Sequence, residues 1–196
     1  MRKIVAGLFI SLDGVVESPE KWHFPYFNDE MGAAVGALMA ASDTMLLGRV
    51  TYQGFAAFWP NAGADDPVAA QMNNTPKLVV STTLDTVEWQ NSTLIKGNVA
   101  EELTKLKQQP GKDIGITGSA TLVRSLLRDN VLDELHLLVH PIVVGSGQAP
   151  LPGRRRSGGP RPRGLADVQY GRSPPDVRAS RHVIRRAGPG RARPRA

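Results

Sequence analysis

Short apolar runs rich in β-branched residues alternate with segments of helical periodicity along most of this 196-residue chain. The apolar runs are KIVAGLFISL (3–12), TMLLG (44–48), KLVVST (77–82), STLI (92–95), DIGIT (113–117) and ELHLLVHPIVVG (134–145). The helical segments are 28–43, 51–59, 66–74, 99–109 and 118–130. Strands that alternate with helices build a mostly parallel sheet with helices on both faces. The sequence therefore predicts an α/β fold.

The composition changes abruptly after residue 148. Residues 1–148 carry 11 Lys and Arg against 16 Asp and Glu, a net charge of −5. Residues 149–196 carry 13 Arg, no Lys and two Asp, a net charge of +11. The overall charge of +6 therefore comes from the tail. We divide the chain into one folded domain, residues 1–148, and an Arg/Pro/Gly-rich tail, residues 149–196, which we expect to be irregular or disordered.

Features that the sequence lacks argue against several kinds of functional site and of cellular location. The chain has no cysteine, which excludes disulfides, thiolate metal sites and a thiol nucleophile. The sequence has neither an apolar run of membrane-spanning length nor a signal-peptide pattern, so we expect a cytoplasmic protein without a membrane partner. His136 and His140 lie four residues apart on a predicted strand without a third ligand in view, so we interpret them as structural and expect no metal.

Three predicted strands end in residues that suit phosphate binding. ITGSATLVRSLL (116–127) runs from a strand through Gly-Ser into a helix, whose N-terminus offers free N–H groups and a positive dipole end. The same pattern is also an ordinary connection between a strand and a helix. LLGRVTY (46–52) and VVSTTL (79–84) end two further strands with Gly, Arg, Ser and Thr. Because parallel sheets bind ligands at the carboxyl ends of their strands, we expect these three stretches to converge.

Four stretches resemble the dihydrofolate reductase-like superfamily, and most closely the branch that includes the reductase domain of riboflavin biosynthesis, the RibD C-terminal domain. They are SLDG (11–14), GRVTYQ (48–53), KLVVSTTL (77–84) and GSATLVRSLLRDNVLDELHLLVHPIVVGSG (118–147). The resemblance covers residues 1–148 and implies a twisted, mostly parallel sheet, NADPH as the cofactor and a homodimer. The fingerprint G-x-G-x-x-G is absent, because Gly145-Ser-Gly147 is followed by QAP rather than by a helix.

The resemblance also implies which residues contact the cofactor. Gly48, Arg49 and Thr51 would contact its phosphates, Ser81 and Thr82 would lie by the adenosine 2′-phosphate, and Gly118, Ser119, Ala120, Thr121 and Leu122 would hold the pyrophosphate. The implied reaction is hydride transfer from NADPH to a small heterocyclic or ribosylamine substrate, similar to that of 5-amino-6-(5-phosphoribosylamino)uracil reductase. Dihydrofolate reductase-type activity and a non-catalytic nucleotide-binding remnant are the alternatives.

Residues between the first strand and the first helix are the catalytic and substrate candidates: Asp13, Glu17, Trp22, His23, Asp29 and Glu30. Asp13 ends the first strand, but an Asp-Gly pair is also a common turn. Asp29 lies near the position at which folate-reducing relatives carry their substrate carboxylate, although a helix favours a negative charge in its first turn anyway. Trp22 and Phe27 belong to an aromatic segment that either stacks a flat substrate or covers the core.

The tail has three interpretations. An Arg-rich segment is typical of a phosphate-binding arm, but natural arms usually mix Lys with Arg. It is otherwise an inert extension, or it is translated out of frame after a break near residues 148–151. We favour the third interpretation, because a one-base shift lets codons for LPGRR (151–155) and GRSPPDVR (171–178) spell segments similar to the end of this fold. The last strands would then be missing, and we do not expect nucleic-acid binding.

Overall fold

The computed structural model describes residues 1–63, 65–149 and 181–185, the last five as backbone only. Its strands are β1 (Ile4–Ser11), β2 (Ser42–Gly48), β3 (Lys77–Val80), β4 (Ser92–Ile95), β5 (Asp113–Thr117), β6 (Glu134–His140) and β7 (Arg181–Arg185). Its helices are α1 (Asp29–Ala41), α2 (Arg49–Phe58), α3 (Pro67–Asn74), α4 (Val99–Lys107) and α5 (Ala120–Arg128). None of these helices is long and apolar enough to cross a membrane.

The strands form one sheet in the order β4-β3-β2-β5-β1-β6-β7. The first six strands of this order are parallel, which confirms the predicted α/β fold class. Strands β3, β2 and β5 are direct neighbours, with Gly48 of β2 paired to Val80 of β3 and Met45 of β2 paired to Gly115 of β5. The three stretches predicted to converge therefore do lie together, at the edge formed by the carboxyl ends of the parallel strands (the carboxyl edge).

Two hydrophobic clusters cover the two faces of the sheet. On one face α4 and α5 pack against alternate residues of β1, β2 and β5, with Leu46 and Leu126 fully enclosed. On the other face α2 and α3 pack against Met45, Leu47 and β3. Successive residues of a strand point to opposite faces, so Leu46 and its two neighbours serve different clusters. The two packed layers hold the strand ends at the carboxyl edge in fixed positions.

A buried lysine anchors the start of β3. The ammonium of Lys77 donates hydrogen bonds to the carbonyls of Asn73, Thr75 and Gln90 at 2.9, 2.7 and 3.1 Å, and it lies 4.1 Å from the centre of the Trp89 ring. Burial lowers the pKa of this amine to about 8. A buried ammonium needs such acceptors, because desolvation would otherwise destabilise its charged form. The contacts join the end of α3 to the strand that leads toward Ser81.

Two predicted strands end earlier than expected. β6 ends at His140 instead of residue 145, because Pro141 has no N–H group to donate to a neighbouring strand. β3 ends at Val80 instead of residue 82, because the hydroxyl of Ser81 accepts hydrogen bonds from the N–H groups of Thr83 and Leu84 and turns the chain. Both differences shorten the strands at the carboxyl edge and leave loops there.

One segment of the tail is not irregular, which corrects the expectation for that segment. Residues Arg181–Arg185 form β7, which pairs antiparallel with β6. Val183 and Ile184 favour extended backbone, and β6 would otherwise be an unpaired edge strand. The rest of the tail lies outside the described residues. Its disorder, the domain boundary at residue 148 and the altered reading frame therefore stay predictions.

Candidate functional site

The hydroxyl of Ser119 joins the starts of α2 and α5 at the carboxyl edge. Its oxygen accepts a hydrogen bond from the N–H of Gly48 at 2.9 Å and donates to the hydroxyl of Thr51 at 2.8 Å. The missing side chain of Gly48 allows this approach, since a Cβ there would lie 3.3 Å from the Ser119 oxygen. One side chain therefore fixes two helix N-termini relative to each other.

The backbone at Gly118-Ser119 turns sharply into α5. Gly118 has φ +74° and Ser119 has φ 58°, so two successive residues adopt the left-handed conformation. A side chain at Gly118 would also lie 3.3 Å from Thr51. Left-handed backbone costs free energy for residues other than glycine, and such strain is typical of functional turns. We infer that this turn is held for a purpose beyond connecting β5 to α5.

Both helix N-termini lack a side-chain cap. Ser119 occupies the capping position of α5 but bonds to Gly48 and Thr51 instead, and Gly48, at the capping position of α2, has no side chain. The first intrahelical bond of α5 is donated by Val123. The N–H groups of Ala120, Thr121 and Leu122 thus have no acceptor within the helix. Together with the helix dipoles, they form a region that favours an anion such as phosphate.

One arginine lies at the start of α2, and another, in the middle of α5, directs its side chain back toward the first turn. Arg49 is the first residue of α2, is exposed, and donates to the side-chain Oε1 of Gln53 at 3.2 Å. Arg124 reaches back along α5 to the Thr121 hydroxyl at 3.2 Å and contacts Gln148 at 2.8 Å. Sequence reasoning overlooked Arg124. Its position three residues after Thr121 could have indicated that it lies near the predicted phosphate site, because residues three apart are neighbours on a helix surface.

The other residues predicted to contact the cofactor differ in how exposed their side chains are. Ser81 is buried and its hydroxyl is engaged by the turn that follows β3, whereas Thr82 is exposed at the carboxyl edge. The side chain of Leu122 lies in the hydrophobic core, so it reaches the site only through its backbone N–H. Thr82 and Thr121 therefore offer exposed hydroxyls on either side of Gly48.

Asp13 anchors a loop. Its carboxylate accepts hydrogen bonds from the Ser11 hydroxyl at 2.6 Å, the Gly145 N–H at 2.7 Å and the Val144 N–H at 3.1 Å. These three bonds, that of Ser11 first, lower the pKa of Asp13 from 3.8 to about 2. A carboxylate with this pKa carries no proton near neutral pH. The bonds fit the turn interpretation of Asp13, and a catalytic role for this residue stays a prediction.

The aromatic segment lies between β1 and α1 and leads into Asp29. Asp29 is exposed as the first residue of α1, next to the capping residue Asn28. Trp22 is buried and its indole N–H donates to the carbonyl of Glu17 at 3.0 Å. Phe27 is 42% exposed. Trp22 therefore covers the core, as one of the two alternatives from the sequence has it, whereas stacking of a substrate on the exposed Phe27 ring stays a prediction.

The two histidines of β6 have different surroundings. The Nε2 of His136 lies 3.2 Å from a carboxylate oxygen of Glu134, and the Nδ1 of His140 lies 3.0 Å from the carbonyl oxygen of Leu138. Within the described ranges, no group of three or more His, Asp or Glu side chains is placed to hold a metal ion. The structural interpretation of both histidines stays a prediction.

Comparison with known proteins identifies relatives of the chain. The family model described as "RibD C-terminal domain" matches residues 2–157. The uncharacterized protein YyaP of Bacillus subtilis (strain 168) is 29% identical over 153 residues, which cover 75% of this chain and 79% of YyaP.

Two solved structures share the fold. One is a diaminohydroxyphosphoribosylaminopyrimidine deaminase/5-amino-6-(5-phosphoribosylamino)uracil reductase from Thermotoga maritima, with a TM-score of 0.62, 12% identity, and coverage of 95% of this chain and 57% of that chain. The other is a dihydrofolate reductase from Enterococcus faecalis complexed with NADP(H) and RAB-propyl, with a TM-score of 0.50, 17% identity and coverage of 75% of both chains. At these identities the likeness shows the fold alone. The chain therefore has the dihydrofolate reductase-like fold, and by its family match it belongs to the RibD C-terminal domain family.

Proposed function

We propose that the chain is an NADPH-dependent reductase that transfers a hydride to a C=N or C=O bond of a small heterocyclic or ribosylamine substrate. Membership of a reductase-like family supports the reaction class. The observation that carries the proposal is the pair of uncapped helix N-termini, α2 and α5, joined through Ser119 at the carboxyl edge. This arrangement presents N–H groups and positive dipole ends to one point, which suits the pyrophosphate of a dinucleotide.

The residues at the carboxyl edge fit such a cofactor. The N–H groups at the start of α5 would hold the pyrophosphate, with Arg49 and Arg124 close enough to neutralise its charge. The exposed hydroxyl of Thr82 would lie toward the adenosine 2′-phosphate. When bound, the nicotinamide supplies the hydride, and the protein supplies orientation and electrostatic stabilisation.

The substrate would lie over the end of β1, between the aromatic segment and the starts of α1 and α2. Phe27 offers a partly exposed ring for stacking, and Asp29 offers a carboxylate that can accept hydrogen bonds from a heterocycle. Because three hydrogen bonds occupy the Asp13 carboxylate, the exposed Asp29 is the carboxylate candidate for contact with the substrate. We also propose a homodimer, on the resemblance to the family.

The proposal is tested by binding and then by turnover. NADPH titration of the folded full chain should give a saturable change in nicotinamide fluorescence, with weaker binding of NADH if the 2′-phosphate is recognised. Loss of nicotinamide absorbance should then follow addition of a ribosylaminouracil, with dihydrofolate as the competing substrate class. An Asp29→Asn variant should keep NADPH binding and lose turnover. A folded chain that binds no NADPH would remove the reductase proposal, and binding without turnover would favour the non-catalytic remnant.

A further inference from the structure

A cluster of aromatic and imidazole rings lies over the ends of β1 and β6. Phe9 comes from β1 and His140 from β6, and the remaining rings come from residues 19–27, which we call the flap. The flap consists of two short 3₁₀ turns, Pro19–Lys21 and Phe24–Tyr26, and leads through Asn28 into α1. The position of the flap therefore determines what surrounds the start of α1.

Side-chain rings attach the flap to the sheet. Its backbone N–H groups at Lys21, Trp22, His23, Tyr26 and Phe27 all donate to carbonyls within residues 18–24, so these bonds do not reach the sheet. The His23 ring stacks on Phe9 with a centroid distance of 4.8 Å, and the Trp22 ring meets His140 edge-on at 5.4 Å. Trp22 and His23 are the buried side chains of the flap. Attachment thus depends on ring contacts of Trp22 with His140 and of His23 and Phe27 with Phe9.

Among the residues that the structure describes, His140 has no acceptor for a second proton. The side chain is fully buried, and because the Leu138 carbonyl can only accept, Nδ1 carries the proton of the neutral ring. Nε2 is buried and has no hydrogen-bond partner among the described residues. Protonation of Nε2 would create a cation with an unsatisfied N–H between Phe9, Trp22 and His23. Burial of such a charge is strongly unfavourable.

His23 has a similar environment on the flap itself. Its Nδ1 is also buried without a partner among the described residues, and its ring centre lies 5.9 Å from that of His140. The titratable groups that face His140 are His23 from the flap and His136 along the same face of β6, while β1 contributes the uncharged Phe9. The negative charge of Glu20, on the flap, raises the pKa of His23. The carboxylates of Asp29 and Glu30, at the start of α1, are exposed.

We propose that the flap is an acid-responsive cover: it is docked on the sheet while His140 and His23 are neutral, and it is released when His140 takes up a second proton. The trigger is the unpartnered Nε2 of His140, which is covered by the flap rings. Release would expose Phe9 and move the residues that lead into Asp29. This proposal concerns the fold and does not depend on the cofactor.

The direction of the response follows from the proton balance. Desolvation lowers the pKa of His140 below 6.5, against the opposing effect of the Leu138 carbonyl. Desolvation also lowers the pKa of His23, with a contribution from His140 that Glu20 opposes. The released state therefore binds more protons below pH 6.5, and docking weakens as the pH falls from about 6.5 toward the lower pKa of the docked form.

Hydrogen exchange of the full chain, followed by mass spectrometry, tests the proposal. Exchange in peptides that cover residues 15–28 is measured between about pH 7.5 and 5 and normalised to the intrinsic rate at each pH. We expect flap protection to fall about tenfold or more, since one pH unit changes a protonation equilibrium tenfold. Protection in β1 and α5 should stay constant. Constant flap protection across this range would overturn the proposal.

Two variants assign the effect to His140. His140→Leu, an uncharged ring-free replacement, should reduce the pH dependence to the part that desolvation of His23 contributes, and His136→Gln on the same strand should keep the full dependence. A His140→Leu chain with unchanged pH dependence, or a His136→Gln chain without it, would contradict the assignment. If His140→Leu does not fold, the imidazole C–H resonances of wild type decide: the buried histidines must titrate in the pH range of flap release, and titration without release would refute the proposal.

Discussion

The hydroxyl oxygen of Ser119 lies 2.9 Å from the amide nitrogen of Gly48 and thereby holds the start of α5 against the start of α2. The same hydroxyl donates to Thr51, so it is used as both donor and acceptor. A serine at this position of a helix normally caps its own first turn. Here the cap is absent and the N–H groups of that turn have no side-chain acceptor. This relationship links the local sequence Gly-Ser to the proposed phosphate site.

Replacement of Ser119 by alanine should weaken NADPH binding without unfolding the chain. Ser119→Ala removes the bonds to Gly48 and Thr51, and one such bond contributes about 1 kcal/mol, so Kd should rise roughly fivefold to tenfold. Ser119→Gly removes the same bonds but relieves the left-handed φ of 58°, so it should be the more stable variant. Ser125→Ala, farther along α5, is the control. Fluorescence titration and thermal unfolding measure both effects, and an unchanged Kd for Ser119→Ala would contradict the account.

Two glycine-to-alanine substitutions should have opposite effects on stability. Gly118→Ala places a side chain at φ +74° and 3.3 Å from Thr51, so we expect destabilisation of about 1–2 kcal/mol and loss of NADPH affinity. Gly54→Ala lies within α2 with nothing within 4 Å of the new Cβ, so it should stabilise by roughly 0.5–1 kcal/mol. Urea unfolding compares the two variants. Equal changes in the free energy of unfolding for the two variants would mean that the turn at Gly118 is not specifically constrained.

Asp13 should contribute to stability in a pH-dependent way. Its pKa is about 2 in the folded chain against an ordinary 3.8, so its contribution is present above pH 3.8 and is lost as the pH falls toward 2. The difference in unfolding midpoint between wild type and Asp13→Asn should therefore be constant above about pH 5 and shrink in acid. Asp85→Asn is the control, because its carboxylate is 97% exposed. A constant Asp13→Asn difference down to pH 2 would contradict the loop-anchoring role.

The reading-frame interpretation of the tail makes a prediction about the coding DNA. The family model matches residues 2–157, and 13 arginines without a lysine follow residue 148. Resequencing should find a one-base insertion or deletion near the codons for residues 148–151, and the corrected chain should be more stable than the present one. A frame that stays intact through residue 196, and that is shared by closely related genes, would refute this interpretation.

The sheet was predictable because its strands are short apolar runs with clear ends, and their alternation with helices leaves few arrangements. The ends of β3 and β6 were not predictable from the periodicity of apolar residues. They depend on the hydrogen bonds that the Ser81 hydroxyl accepts and on the N–H group that Pro141 lacks. β7 was missed because the composition of the tail hides a five-residue segment whose pairing depends on the open edge of β6.

The position of the candidate site was more predictable from the sequence than the roles of its residues. Gly48, Ser81 and Gly118 do lie at neighbouring strand ends, as the parallel order requires. The roles of Asp13 and Ser119 depend on partners 131 and 71 residues away along the chain, and no local pattern reports such contacts. Lys77 shows the same limit, since its three carbonyl partners are defined only once α3 and β3 are packed.

The most direct test of the proposed cofactor site is a titration of the full chain with NADPH, followed through the backbone amide resonances of Gly48, Gly118, Ala120 and Thr121. The account predicts saturable shifts at these four amides, with much smaller shifts at Gly54 and in α4. Absence of shifts at saturating NADPH, or shifts confined to other parts of the sheet, would contradict the claim that the joined N-termini of α2 and α5 bind the dinucleotide.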